Sequence, residues 1–310
     1  MEEKIEIMNL LQSKQVLEHE LQSLAYGSVE IRENESNKYI YVHYREDGVA
    51  LTKYVGEYSD ELYNLVLNNS IKAKQLKKQI REITKKLKQL NYTEEELSEK
   101  VEQNIDFAKR HLVDTIYKQA ILEGVATTFA DTESIIEGGK VNNMTSEDIL
   151  KIVNLKHAWE FILNKNVILS DTNFALLCEI NKMVEEGFYY TAGKVRNTPV
   201  TIGGTTWKPD LPIESVIKEE LEEIFSKELD DIDRAIELLL YTMKKQVFID
   251  GNKRTAVIYS NHYLISKGKG IIAIPAELTQ EFKDLLIPYY EGKDEDKIRE
   301  FIKEKCYMEI

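Results

Sequence analysis

Two apolar helical runs, one around Leu238-Leu239-Leu240 and one over residues 255–265, are separated by Asp250-Gly251-Asn252. That break constrains the fold more than any other feature of the chain. Gly and Asn favour turns over helix interiors, so the segment must end one helix and begin another. The start of a helix presents N–H groups that lack helical acceptors, at the positive end of the helix dipole. Such a place suits an anion. Lys253 and Arg254 add positive charge there, and the arginine fork matches phosphate oxygens. Asp250 is a hard oxygen ligand beside that position, which is how Mg is usually held next to a phosphate. The plain alternative is a helix–loop–helix turn with an Asp cap and two exposed basic residues.

Composition narrows the classes. A length of 310 residues allows about two domains and a substantial core. The net charge of −13 argues against a general affinity for nucleic acid or anionic lipid, while leaving room for a local basic face. Cys178 and Cys306 are far apart and not in a metal spacing, so no disulfide framework is expected. The acidic, amphipathic N-terminus is not a signal peptide, and no apolar run is long enough to span a membrane. A cytoplasmic, soluble protein is expected.

The pattern along the chain predicts a mainly α protein. Leu10, Leu17, Leu21 and Leu24 fall in heptad-like steps, as do Leu76, Ile80, Ile83, Leu87 and Leu90. Between them, residues 37–56 alternate β-branched and aromatic side chains around Asp47-Gly48, the signal of a β-hairpin. Residues 1–100 thus read as a helical coiled-coil stalk carrying a hairpin. Self-association into a homodimer through the seam competes with pairing of the two helices within one chain. Tyr39, Tyr41, Tyr44, Tyr54 and Tyr58 read as hairpin packing. The lysine run from Lys74 to Lys88 reads as a solvated helix face, or as a docking surface for an acidic partner. Thr93 and Glu96 have capping-box spacing. Residues 101–310 read as a second, helical domain interrupted only at 190–210, where glycines, prolines and a short β-branched run suggest a small hairpin.

The stretch from Gln246 to Ala256 resembles the Fic motif, in family words His-Pro-Phe-x-(Asp/Glu)-Gly-Asn-Gly-Arg-x-x-Arg, and is closest to the Doc-like version with Lys in place of the second Gly. Two further segments resemble the family in the same order. Ser134-Ile-Ile-Glu137-Gly138 is similar to its inhibitory helix. Gly193-Lys194-Val-Arg196 with Ile202-Gly203-Gly204 and Trp207 is similar to the flap that aligns a target protein by strand addition. The resemblance spans roughly residues 115–290. It implies a Fic-type (Fido) helical core with a β-hairpin flap, ATP and Mg as cofactors, and transfer of AMP or another phosphate-containing group to a protein hydroxyl. It further implies Phe248 as a core anchor, Asp250 as metal ligand, and Gly251, Asn252, Lys253 and Arg254 as the nucleotide-phosphate cradle. Glu137 would restrain the site, a protein target would dock at the flap, and Trp207 would anchor it.

Two departures from the family bear on its chemistry. Gln246 stands where the catalytic histidine is expected, and an amide cannot accept a proton near neutral pH. Losing a general base typically costs about 10²–10⁴-fold, whereas stabilisation by the loop and Mg would survive. Val257 stands where the second motif arginine is expected, so Glu137 would have to use Arg254 or Lys253. Lys253 leaves phosphate transfer open beside AMP transfer. His262, His157, His111, His19 and His43 offer no obvious replacement base. A slow transferase is therefore expected, narrowly ahead of a non-catalytic ATP/Mg sensor. A coiled-coil interaction module comes third.

Overall fold

The computed structural model describes residues 2–34, 37–46, 49–90, 92, 97–142 and 144–310. The Asp47-Gly48 turn and the capping pair Thr93 and Glu96 lie outside them. The chain forms two compact units, Met1–Thr93 and Glu94–Ile310.

In the first unit, helix α1 (Glu2–Ser23) is followed by strands β1 (Ser28–Asn34), β2 (Asn37–Glu46) and β3 (Val49–Glu57), then by the long helix α2 (Asp60–Gln89). The strands make an antiparallel meander in the order β1-β2-β3, one strand more than the expected hairpin. Period-2 alternation puts Ile40 and Val42 on the face that meets Val66 of α2, and all three are fully buried. Ser59 caps α2 by accepting from the Leu62 N–H. The ion pair Lys72–Glu20 (2.5 Å) joins α2 to α1. Of the expected seam, Leu76 and Leu87 are buried, but on α1 the buried residues are Met8 and Leu11, while Leu10, Leu17 and Leu21 are half-exposed.

The second unit is mainly helical. Its elements are α3 (Glu99–Arg110), α4 (Leu112–Leu122), α5 (Phe129–Ile136), α6 (Ser146–Ile162), α7 (Lys165–Ile168), α8 (Phe174–Val184), α9 (Glu214–Ser226), α10 (Asp231–Lys245) and α11 (Asn252–Ser266). They continue with β4 (Ile271–Ile272), α12 (Thr279–Tyr290), α13 (Glu295–Phe301) and β5 (Tyr307–Met308), which pairs antiparallel with β4. Helix α11 is the axis of this unit. It packs against α3, α6, α7, α8, α10 and β4, and every residue from Arg254 to Ile265 is buried.

Buried amides fix that axis, because a buried polar group must find partners. Asn261 donates to Val257 O and Ile272 O and accepts from Ile272 N–H, which attaches β4. Gln119 of α4 donates to Arg254 O (2.7 Å) and accepts from the Trp159 indole of α6 (2.9 Å). His262 is wholly buried, with Nδ1 2.8 Å from Thr172 Oγ1 and Nε2 2.9 Å from Val167 O. It is a packed core residue.

Residues 190–210 form an ordered loop with no strand ladder, where a hairpin was expected. Pro199 and Pro209 cannot donate to a ladder, and Gly204 takes a positive φ of 85°. The loop is tied down by Trp207 stacked on Tyr290 of α12 (centroids 5.5 Å apart, planes at 16°) and by Thr205 donating to Glu291.

Candidate functional site

The two apolar helices α10 and α11 meet at the loop that the sequence singled out. Helix α10 stops at Gln246, whose backbone is left-handed (φ 47°, ψ 59°). Both ends of its side chain are engaged: Nε2 donates to Met243 O (2.7 Å), and Oε1 accepts from Asn252 Nδ2 (3.2 Å). Asn252 also clasps Phe248, donating to its O (2.8 Å) and accepting from its N–H (3.0 Å). Phe248 is buried beneath the loop. Gly251 caps α11 at φ 73°, and a Cβ there would collide with the carboxylate of Glu185, so both conformation and space demand glycine.

Asn181 of α8 fastens this loop to the next. It donates to Asp250 O (3.0 Å) and Thr255 Oγ1 (3.1 Å) and accepts from Gly193 N–H (2.9 Å). Arg196 does the same from the far side. Its backbone N–H donates to Val247 O, and its guanidinium donates to Gln246 O (2.6 Å), Thr198 O (2.8 Å) and Asp210 O (2.6 Å). Arg196 was expected to face a target protein. It is buried instead and shapes the loop from within. Lys194, Gly203 and Gly204 are exposed, and Gly193 and Ile202 half-buried.

The charged groups are unevenly placed. The Asp250 side chain is half-exposed, with Oδ1 accepting from Gly251 N–H (2.7 Å). Arg254 is buried, its Nη2 2.6 Å from Glu185 Oε1 and 3.7 Å from Asp250 Oδ2, and its Nε 3.7 Å from Glu123 Oε2. Lys253 Nζ lies 3.3 Å from Glu123 Oε1. Two cations thus face three carboxylates. Burial pushes the Glu185 carboxyl up to about 7 against the opposing pull of Arg254. Arg254 Nε and Nη1 are buried and have no hydrogen-bond acceptor among the described residues. These donors suit an anion the protein does not itself supply.

Glu137 is exposed at the end of α5, and no described contact joins it, Ser134 or Gly138 to Lys253 or Arg254. Besides Asp250 of the loop itself, the acidic residues that reach those cations are Glu123, just past α4, and Glu185, just past α8. Glu123-Gly124 carries the same helix-end signature as Glu137-Gly138, so the sequence did hold a sign of it. Glu185 follows Met183-Val184 without any mark of burial.

With this geometry in view, likeness to known proteins is informative. Residues 171–264, which include Asn181, Glu185, Arg196 and the whole loop, match the Fic/DOC family. No curated protein sequence matches the chain. Among solved structures, Fic-1 from C. elegans is similar, with a TM-score of 0.52 at 17% identity over 76% of this chain and 72% of that one. A Fic domain containing signaling protein from Bacteroides thetaiotaomicron gives 0.51 at 19% over 61% and 75%. A Fic family protein from Desulfovibrio desulfuricans gives 0.52 at 11% over 68% and 73%. The fold is therefore the Fic fold, mainly helical with small antiparallel β elements. No helix among the described residues is long and apolar enough to cross a membrane.

Proposed function

We propose that the chain is a Fic-type, nucleotide-dependent protein modifier that holds nucleotide phosphates at the N-terminus of α11. The observation that carries this is the loop itself: first-turn N–H groups at Asn252 and Lys253, and a buried guanidinium at Arg254 with unpartnered donors. Asp250 would hold Mg. No group of three or more metal-type side chains occurs among the described residues, so the remaining ligands would be phosphate and water. When bound, Mg would neutralise phosphate charge. The chain's own residues do the rest. Asn252 and Arg196 hold the loop's shape, and Arg254 and Lys253 meet phosphate oxygens once they leave Glu185 and Glu123.

Transfer of AMP or another phosphate-containing group to a protein hydroxyl joins that oxygen to phosphorus and breaks the bond to the leaving phosphate. The hydroxyl proton must go to solvent or to a phosphate oxygen, since Gln246 has no basic nitrogen. Transfer is therefore slow. Docking of the target at residues 190–210 would use the exposed Lys194 and Gly203-Gly204.

One observation favours a second reading, a nucleotide sensor without transfer. Gln246 is latched at both ends, to Met243 and Asn252, and serves the loop's structure. Incubation of the protein and a cell lysate with ATP and Mg, labelled on the α- or the γ-phosphate, separates the two. Labelling by wild type that vanishes in Asp250→Ala supports transfer, and the label's position tells AMP from phosphate transfer. Labelling only after Gln246→His, a residue that tolerates the left-handed backbone, supports the sensor. No labelling by any of the three, with no nucleotide affinity, overturns both.

A further inference from the structure

The unit Met1–Thr93 carries a cleft that the proposed function does not use. It lies between α2, the end of α1 and the inner face of the sheet, with a volume of about 690 Å³. That is within the range of small-molecule and fragment sites, roughly 300–1,000 Å³. Its walls pair aromatic rings with cations. Tyr26 and Tyr44 sit 5.7 Å apart, centroid to centroid, at 46°. Lys77 Nζ stands 4.6 Å over the Tyr26 ring, and Lys53 and Arg81 complete the basic side. Among the described residues no carboxylate pairs with Lys53, Lys77 or Arg81, although Glu18 lies on the rim.

The cleft is built and held. Ser70 Oγ of α2 lies 3.1 Å from Gly27 N and 3.2 Å from Gly27 O, which pins the residue after Tyr26. Gly27 has φ 141°, and a Cβ there would meet the His43 carbonyl, so the chain passes β2 at backbone contact. Beyond the cleft the same side of α2 stays basic. Lys74, Lys78, Arg81, Lys85 and Lys88 are exposed, and Glu82 is the only acidic residue from Lys72 to Lys88. At 1.5 Å per residue this stripe runs about 20 Å. In a chain of net charge −13 it is a local feature.

We infer that this cleft binds single-stranded nucleic acid, one base lying against Tyr26 and Tyr44 and the neighbouring phosphates on Lys53, Lys77 and Arg81. The basic stripe of α2 then follows the backbone. Stacking on tyrosine faces requires bases that are not already stacked in a duplex, and cations spaced along a groove match a phosphate chain. An acidic peptide would use the cations and leave the ring pair idle.

Fluorescence anisotropy of the full chain with labelled single strands of about twelve nucleotides, DNA and RNA, tests this. Binding is expected to weaken with salt at a log–log slope of about 2, three phosphate contacts at about 0.7 each. Lys77→Gln with Arg81→Gln should weaken binding more than about tenfold and cut the slope by more than half. Tyr44→Ala should cost about tenfold, largely restored in Tyr44→Phe, whose ring still stacks. Lys86→Gln, on the other flank of α2, should bind as wild type. The inference is overturned by absence of binding at low salt, by equal loss in Lys86→Gln, or by competition from a duplex or from polyglutamate as effective as that from the strand. Asp250→Ala leaves this binding intact, so failure here and failure at the α11 loop are distinguishable.

Discussion

Helices α4 and α5 end in the same way and do different work. Each closes on Glu-Gly. Glu123 has φ −83°, ψ −1° and Glu137 has φ −82°, ψ −2°, followed by Gly124 at φ 79° and Gly138 at φ 78°. Each glycine N–H bonds back three residues, Gly124 to Ile121 O (2.9 Å) and Gly138 to Ile135 O (3.1 Å). The backbone is nearly superposable, yet Glu123 is mostly buried and faces Lys253 and Arg254, while Glu137 points into solvent. Local sequence chemistry decides where a helix ends. What the residue there does is decided by which element lies opposite, and that is a property of the packed fold.

Burial also sets the role of His262, and it gives the largest predicted effect. His262 is wholly enclosed, and burial lowers its pKa from 6.5 to about 4. A base whose folded value is depressed contributes stability above its unfolded value and loses it as pH falls from 6.5 towards 4. Wild type should therefore lose up to about 3 kcal/mol by pH 4, relative to a His262→Asn variant measured at the same pH values. Urea unfolding of both proteins from pH 7.5 to 4 gives the difference curve. A flat difference curve would mean that His262 is reached by water.

The two glutamates come next. Removing Glu123 frees Lys253 and takes away one of the carboxylates facing Arg254, so Glu123→Ala should tighten ATP–Mg binding about tenfold, near 1.4 kcal/mol. Glu137→Ala should stay within about twofold of wild type, as expected of an exposed group making no contact there. Titration calorimetry of the three proteins at one salt concentration decides it. Tightening by Glu137→Ala and not by Glu123→Ala would reverse the assignment made from the structure.

How much of this was legible follows the same division. The break at Asp250-Gly251-Asn252 and the helices on both sides could be read directly, because turn propensity and apolar periodicity are local, whereas the core place of Phe248 came only from the family resemblance. Strand β1 was missed because Val29 is the one apolar residue of the strand that packs on the Ile40–Val42–Val66 cluster, while Ile31 stays exposed. Arg196 looked like a surface cation of the flap; four bonds to loop carbonyls, one from its own backbone N–H, show that it is the hub. Nothing in Met183-Val184-Glu185-Glu186 says which glutamate turns inward. The end of α8 is instead held from a distance by Asn154, which donates to Val184 O and Glu186 O. Long-range partners of this kind leave no period in the sequence.

The smallest predicted effect tests the other half of the comparison, that the two helix ends are alike in backbone. Gly124 and Gly138 both sit near φ 78°, where an L side chain is strained, and a Cβ at either would meet open space. Only the conformational term is left. Gly124→Ala and Gly138→Ala should therefore each cost about 1 kcal/mol, and the two costs should agree. Thermal unfolding of the paired variants reads this as two similar drops of about 2–4 °C. A markedly larger loss at Gly124 would show that Glu123's ion pairs depend on its backbone, so that end and role are coupled there. Equal losses, together with unequal nucleotide affinities for the neighbouring glutamate variants, would separate the local signal from the tertiary one within the same two residue types.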